Sequence, residues 1–289
     1  MPPSEIDANA FHGFERQGWE RAPDAYHRFF GGITAQTIEP LLDSVQETRP
    51  SPRRVAPGES DAPSATILDI ACGPGYVAAA AKNRGWSAIG IDFSEAMVTL
   101  ARRVHSGIDF RVGDAEALAF PDGEFDRAVM NFGILHLARP EAAVREAYRV
   151  LRAGGRFGFS MWAGLEESPA FRLVLRAVEE FGDPNAPLPP GPPFFRFSDP
   201  EECKRVLEAS GFTNFSVARL PLTWRLPAPN DVFDAFYEGS ARTGGLLRAQ
   251  SPRALAAVRD AILRTAATYA RGDHVEIPMP ALVFSASKP

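Results

Sequence analysis

Three sets of residues in this chain are spaced so that they could do chemistry together. Gly73 and Gly75 stand two apart in the run Ile67-Leu-Asp-Ile-Ala-Cys-Gly-Pro-Gly-Tyr-Val77, whose first half is apolar and of strand type. Asp92 closes the next apolar run, Ser87 to Ile91, and His136 follows a later one, Phe125 to Asn131. Glycines at that spacing let the backbone turn tightly and let a ligand approach it closely. The Ala-rich run after Val77 reads as a helix start. Backbone N–H groups and a helix N-terminus would then face whatever sits at the end of the strand. A carboxylate at the tip of the neighbouring strand accepts hydrogen bonds from vicinal hydroxyls, as a ribose presents them. The competing reading makes Asp92 a turn carboxylate that caps the helix beginning near Ser94.

These residues need a frame of alternating strands and helices. From Thr66 the sequence supplies one: strands at 66–70, 87–91, 108–112, 125–131 and 156–162, with helices between them. Gly85 stops the first helix and Gly154-Gly155 the last, while Pro140 opens the latter. Such alternation predicts right-handed crossovers and a parallel sheet covered on both faces. Residues 1–48 read as an aromatic-rich helical cover, with a boundary or kink near Pro40. Residues 49–65, rich in Pro, Ser and Gly, read as a mobile linker to the unit of residues 66–289. After Trp162 the alternation stops. A helical insertion is expected at about 163–211, strands at 215–222 and 275–287, and a helical excursion at about 230–270, with helices at 230–247 and 252–270.

Bulk properties narrow the partners. The net charge of −5 gives no general attraction to nucleic acid, where binding rests on cations that neutralise phosphates. Two distant cysteines, Cys72 and Cys203, make neither a disulfide framework nor a metal cluster, so no metal is expected. The acidic start Met-Pro-Pro-Ser-Glu-Ile-Asp has no apolar core, and no apolar run is as long as a membrane span. A cytoplasmic protein with a small-molecule partner and no membrane span is the expectation.

NAD, FAD and S-adenosylmethionine sites all use a glycine turn with an acid on the next strand. Further motifs separate them. Asp69-Ile-Ala71-Cys-Gly73-Pro-Gly75 resembles the first motif of the class I S-adenosylmethionine-dependent methyltransferases, with Ala71 in place of its first glycine. Asp92-Phe-Ser-Glu-Ala-Met97 resembles the second motif and Gly113-Asp114-Ala115-Glu116 the third. The resemblance is strong over about residues 66–162, and within the family it is to the ubiquinone/menaquinone-biosynthesis methyltransferases. It implies a Rossmann-like, doubly wound seven-stranded α/β sheet whose last strand is antiparallel. It also implies S-adenosyl-L-methionine as cofactor and S-adenosyl-L-homocysteine as product. By position, the Ala71 to Gly75 backbone would lie against the methionine portion, with Asp69 orienting the turn. Asp92 would hold the ribose, and Phe93 and Met97 would pack on adenine. Asp114 would accept from the adenine amino group beside the Ala115 N–H, and Asn131 would sit near the methyl donor. For Met97, plain helix packing is the alternative.

Methyl transfer is a displacement on an already activated carbon, so alignment and water exclusion do most of the work. A base is needed only when the acceptor loses a proton. His136, at the edge of the site, is the candidate, with a structural histidine as the alternative. Tyr26, His27, Trp162, Phe194 and Phe195 are candidate pocket residues, or else aromatic core. No Asn-Pro-Pro-aromatic or Pro-Cys stands after strand four, which argues against nucleic-acid amine and cytosine C5 methylation. The expected reaction is methyl transfer to O, C or N of a largely apolar quinone-, polyketide-, terpenoid- or phenol-like molecule. The alternatives are an NAD-dependent oxidoreductase, whose third glycine position is Ala78 here, or a non-catalytic cofactor-binding protein.

Overall fold

Apolar strands flanked by amphipathic helices dictate how this chain packs. The computed structural model describes residues 7–46 and 65–289, so the expected linker lies outside the described residues apart from Ala65. Four helices come first: α1 (Ala8–Arg21), α2 (Pro23–Phe29), α3 (Gly31–Thr34) and α4 (Ile38–Ser44). Then follow β1 (Thr66–Ile70), α5 (Tyr76–Asn83), β2 (Ser87–Asp92), α6 (Glu95–Val104), β3 (Asp109–Val112), β4 (Phe125–Asn131), α7 (Pro140–Val150) and β5 (Leu151–Trp162). The remainder comprises α8 (Pro169–Phe181), α9 (Pro200–Ala209), β6 (Thr213–Leu220), β7 (Thr223–Leu226), α10 (Pro229–Gly239), α11 (Arg242–Arg248), α12 (Pro252–Ala267), β8 (Ala270–Arg271), β9 (His274–Pro278) and β10 (Ala281–Ser287).

The main sheet has seven strands in the order β3-β2-β1-β4-β5-β10-β6. Strands β1 to β5 pair in parallel, and β10 runs antiparallel between β5 and β6. The order reverses between β1 and β4, which opens a crevice at the carboxyl ends of these strands. This is the expected doubly wound sheet with an antiparallel last strand. Every residue of β4 except Asn131 is buried, as a central parallel strand covered on both faces requires.

On one face α4 lies against the sheet: Leu41, Leu42 and Val45 pack on Ile67, Val77, Val129 and Val283. A side chain at Gly158 would meet the Val45 methyl at 2.8 Å, so the missing side chain lets α4 approach β5. Pro40 sits in the first turn of α4, where its absent N–H has no intrahelical partner to lose.

The structure corrects the sequence reading at four places. The strand expected at 275–287 is two strands, β9 and β10, interrupted around Pro280. Proline has no N–H to give a ladder. Strand β9 pairs instead with β7 and β8 in a separate three-stranded sheet. The helix expected at 230–247 breaks at Ser240, whose backbone is extended and whose hydroxyl accepts the Gly244 N–H at 3.0 Å. Helix α7 stops at Val150, before the two glycines, because Leu151 already pairs with Phe125. The strand read at 215–222 spans Thr213–Leu220, and the next four-residue strand, β7, follows from Thr223.

Candidate active site

The loop after β1 is held by local geometry. Ala71, Gly73 and Gly75 all have positive φ, at 54°, 50° and 81°. A side chain at Gly75 would meet the Phe110 ring at 2.4 Å, so the turn needs glycine for space as well as for backbone freedom. The Cys72 N–H donates to the Ile91 carbonyl at 2.8 Å, tying the loop to β2. Asp92 then secures it from the neighbouring tip. Its Oδ2 accepts the Gly73 N–H and its Oδ1 the Ser94 N–H, both at 2.9 Å. Each oxygen keeps a lone pair for a further donor. Asp92 is 5% exposed, and burial pushes its carboxyl up to about 6 against those two hydrogen bonds and the nearby His136.

Asp69 stands behind the loop rather than in the cleft. Its Oδ2 accepts the Ala78 N–H at 3.0 Å, which joins β1 to the first turn of α5. Its Oδ1 has no hydrogen-bond partner among the described residues. Burial raises this carboxyl to about 8, the Ala78 bond lowering it and Asp92 raising it further. Both cysteines are buried and free, and burial pushes both thiols up. Among the described residues no cluster of possible metal ligands occurs, and no helix is long and apolar enough to cross a membrane.

The carboxyl ends of β1 to β4 open into a cleft that is partly exposed to solvent. Its sheet side is lined by Ala71, Gly73, Asp92, Phe93, Met97, Asp114, Ala115 and Asn131. Aromatic side chains line much of the rest: Tyr26, Phe30, Phe132, Trp162, Phe171, Phe194 and Phe236. Helix α1 contributes His12 and Trp19, and α11 contributes Arg242 and Thr243. Phe132, at φ 54°, stacks on Trp162 with centroids 3.9 Å apart.

Most of the residues expected at a site therefore meet in one cleft. Gly75, Asp69, His27 and Phe195 do not line it. Gly75 caps α5 at the back of the turn. His27 stacks on Tyr76 at 5.9 Å and its Nδ1 faces the Tyr76 hydroxyl, outside the cleft. Phe195 packs edge-on against Phe171 at 5.5 Å and supports the wall from behind. Asn131 lines the cleft with its side chain already engaged. Its Oδ1 accepts from Thr37 at 2.7 Å and Ser160 at 2.5 Å, and its Nδ2 donates to the Thr34 carbonyl at 3.2 Å. Met97 both lines the cleft and packs with Trp19, Ala22 and Ala241.

Sequence reasoning missed Glu15. It is fully buried on α1 beside Phe11 and Trp19, and its Oε2 faces His136 Nδ1 at 3.0 Å. The Trp19 indole N–H donates to the same oxygen at 3.2 Å. Arg242 Nε lies 3.8 Å from the other oxygen, Oε1. The available signal was an acid inside an apolar stripe, four residues from Phe11 and four from Trp19.

Residues 68–159 match the family described as methyltransferase domain. A demethylmenaquinone methyltransferase of Renibacterium salmoninarum is 34% identical over 142 residues, covering 49% of this chain and 60% of that one. A ubiquinone/menaquinone biosynthesis C-methyltransferase of Methylobacterium nodulans is 36% identical over 135 residues, covering 44% and 49%. This chain thus spans about half to three fifths of the length of these curated relatives. Among solved structures, a phosphoethanolamine N-methyltransferase of Haemonchus contortus aligns over 100% of this chain and 61% of its own, at TM-score 0.57 and 18% identity. A geranyl diphosphate C-methyltransferase of Streptomyces coelicolor aligns over 96% and 98%, at TM-score 0.53 and 13% identity. These two likenesses speak for the fold. In sequence the chain resembles the class I S-adenosylmethionine-dependent methyltransferases, and within them those of ubiquinone and menaquinone biosynthesis.

Proposed function

We propose that this protein transfers a methyl group from S-adenosyl-L-methionine to a small, largely apolar organic acceptor. The observation that carries this reading is one cleft lined both by a glycine loop with two acidic strand tips and by a set of aromatic side chains.

The chain's residues fit the cofactor. Asp92 is buried and oriented by two backbone donors, and its remaining lone pairs suit the ribose hydroxyls. Asp114 accepts the Glu116 N–H at 2.8 Å, which fixes its carboxylate at the tip of β3 for the adenine amino group, with Ala115 beside it. Phe93 and Met97 offer apolar surface for the adenine ring. The bare backbone from Ala71 to Gly75 suits the methionine portion, with Asp69 holding it through α5. Asn131 serves as a tethered floor between Thr37 and Ser160. When bound, the cofactor supplies an activated methyl group. The chain's part is to align the acceptor and keep out water. Tyr26, Trp162 and Phe194 would hold the acceptor by ring contact. The relatives' names favour a quinone-like molecule among apolar acceptors.

Calorimetry with S-adenosyl-L-homocysteine tests this reading. Binding in the micromolar range is expected, and no heat at millimolar ligand would reject it. An NAD-dependent oxidoreductase is not favoured, since Asp114 has no part in holding that cofactor. A nicotinamide fluorescence titration should accordingly stay flat.

A further inference from the structure

We infer that Glu15 and His136 form a proton-accepting pair, and that the acceptor is a hydroxylated aromatic molecule methylated on its hydroxyl oxygen. This rests on the methyl-transfer reading above. His136 lines the cleft, and its Nδ1 is taken up by Glu15 Oε2 at 3.0 Å. Nε2 makes no hydrogen bond among the described residues and is left to accept a proton. A buried carboxylate on one imidazole nitrogen fixes the tautomer with the lone pair on the other. It also offsets the positive charge that appears when that lone pair is protonated.

The surroundings hold this pair in place. Trp19 sets its ring edge-on to His136 with centroids 4.8 Å apart, and its N–H holds Glu15. Arg242 stands on the far side of Glu15, packed over the Phe11 ring at 5.0 Å and the Phe194 ring at 5.4 Å. Burying a carboxylate is costly unless donors meet it: the Trp19 indole and His136 Nδ1 meet Oε2, while Oε1, with Arg242 Nε 3.8 Å away, has no hydrogen-bond partner among the described residues. Helix α1, which carries Glu15, is pinned to the sheet domain. The two oxygens of Glu20 accept the Glu95 and Ala96 N–H groups of α6 at 2.8 and 3.1 Å. A histidine needed only for packing would not require a fully buried acid brought from 121 residues away.

The step balances with one proton. The acceptor oxygen forms a bond to the methyl carbon as the carbon–sulfur bond breaks, and the electron pair of that bond stays on sulfur. The sulfonium becomes a neutral thioether, and the hydroxyl proton passes to His136 Nε2. Glu15 touches neither acceptor nor donor and is a positioning residue.

The experiment uses 2-naphthol and nitro- or halogen-substituted naphthols of graded acidity, with S-adenosyl-L-methionine and the full-length protein. Wild type is expected to yield methyl ethers across the series. In His136→Gln, kcat for 2-naphthol should fall by about 10²–10⁴-fold, the usual worth of a general base. In Glu15→Gln it should fall at least about tenfold. At a pH well above the range near 6 where Asp92 titrates, neither variant should lose affinity for S-adenosyl-L-homocysteine, and Glu15→Asp should recover part of the rate. Naphthols already ionised at the assay pH should react at wild-type rates in both variants. An equal loss across the whole series would mean a structural role and overturn the proposal, as would unchanged rates or methylation at ring carbon. Should Glu15→Gln fail to fold, the dependence on acidity in His136→Gln decides. Homocysteine-ligand binding without any ether product would overturn the hydroxyl acceptor alone. Absence of that binding would bring down the methyl-transfer reading itself.

Discussion

The two walls of the cleft are built in opposite ways. The sheet wall, from β1 to β4, carries the acids and the bare loop backbone and is made of short stretches. The helical wall, from α1 to α3 and α8 to α11, is apolar and made of single side chains from many segments. Trp19, Tyr26, Phe171, Phe194, Phe236 and Arg242 meet only because the helices fold back over the sheet. Rigid backbone at strand tips suits a constant ligand, recognised through fixed hydrogen bonds. A surface of packed rings suits a ligand recognised by shape, and it can be resized by one substitution. On the function proposed above, the cofactor takes the sheet wall and the acceptor the helical wall.

The strongest way to break this division is at Gly75. Gly75→Ala places a side chain against the Phe110 ring at positive φ. It should cost about 2–5 kcal/mol of stability, from the left-handed backbone and the overpacking together. Urea unfolding measures this, and a loss below about 1 kcal/mol would mean that the loop is softer than its geometry implies.

Asp92→Asn should leave the fold intact and weaken S-adenosyl-L-homocysteine binding by about 1–3 kcal/mol, as for a hydrogen bond to a charged group. Acceptor KM should stay unchanged. The same carboxyl gives a pH signature. On the proposed assignment ribose hydroxyls would donate to its charged form, so binding would favour ionisation of a group that burial has raised to about 6. Affinity should therefore rise as pH rises through about 6, with proton release on binding, and Asp92→Asn should abolish both. Calorimetry in buffers of different ionisation enthalpy counts the protons. Proton uptake would contradict the ribose assignment.

The smallest effect belongs to the helical wall. Phe194→Ala should raise acceptor KM by about 0.5–1.5 kcal/mol, the worth of an aromatic contact beyond its area. Affinity for S-adenosyl-L-homocysteine should not change. A weakened cofactor complex instead would show that the walls are not separable.

Legibility in the sequence follows the same line. The glycine turn, the acids at 92 and 114 and the order of strands and helices are local patterns, readable because each residue's role depends on neighbours within one turn or strand. Where the reading failed, a distant partner decided. Strand β9 left the main sheet to pair with β7, and α7 ended early because Leu151 met Phe125 across the sheet. His27 turned to Tyr76, 49 residues away. Glu15 looked like one more charge among aromatic residues until α1 carried it to His136.

The sequence by itself determined a doubly wound sheet with a glycine loop and two acids at adjacent strand tips. Periodicity, turn residues and helix propensity act over a few residues, and a single chain displays them in full. Only the tertiary structure decided that Glu15, Trp19, His136 and Arg242 share one buried cluster, and which rings face the cleft. The contacts of Glu15 with His136 and Arg242 join residues more than a hundred positions apart, and long-range packing leaves no period in the sequence to read.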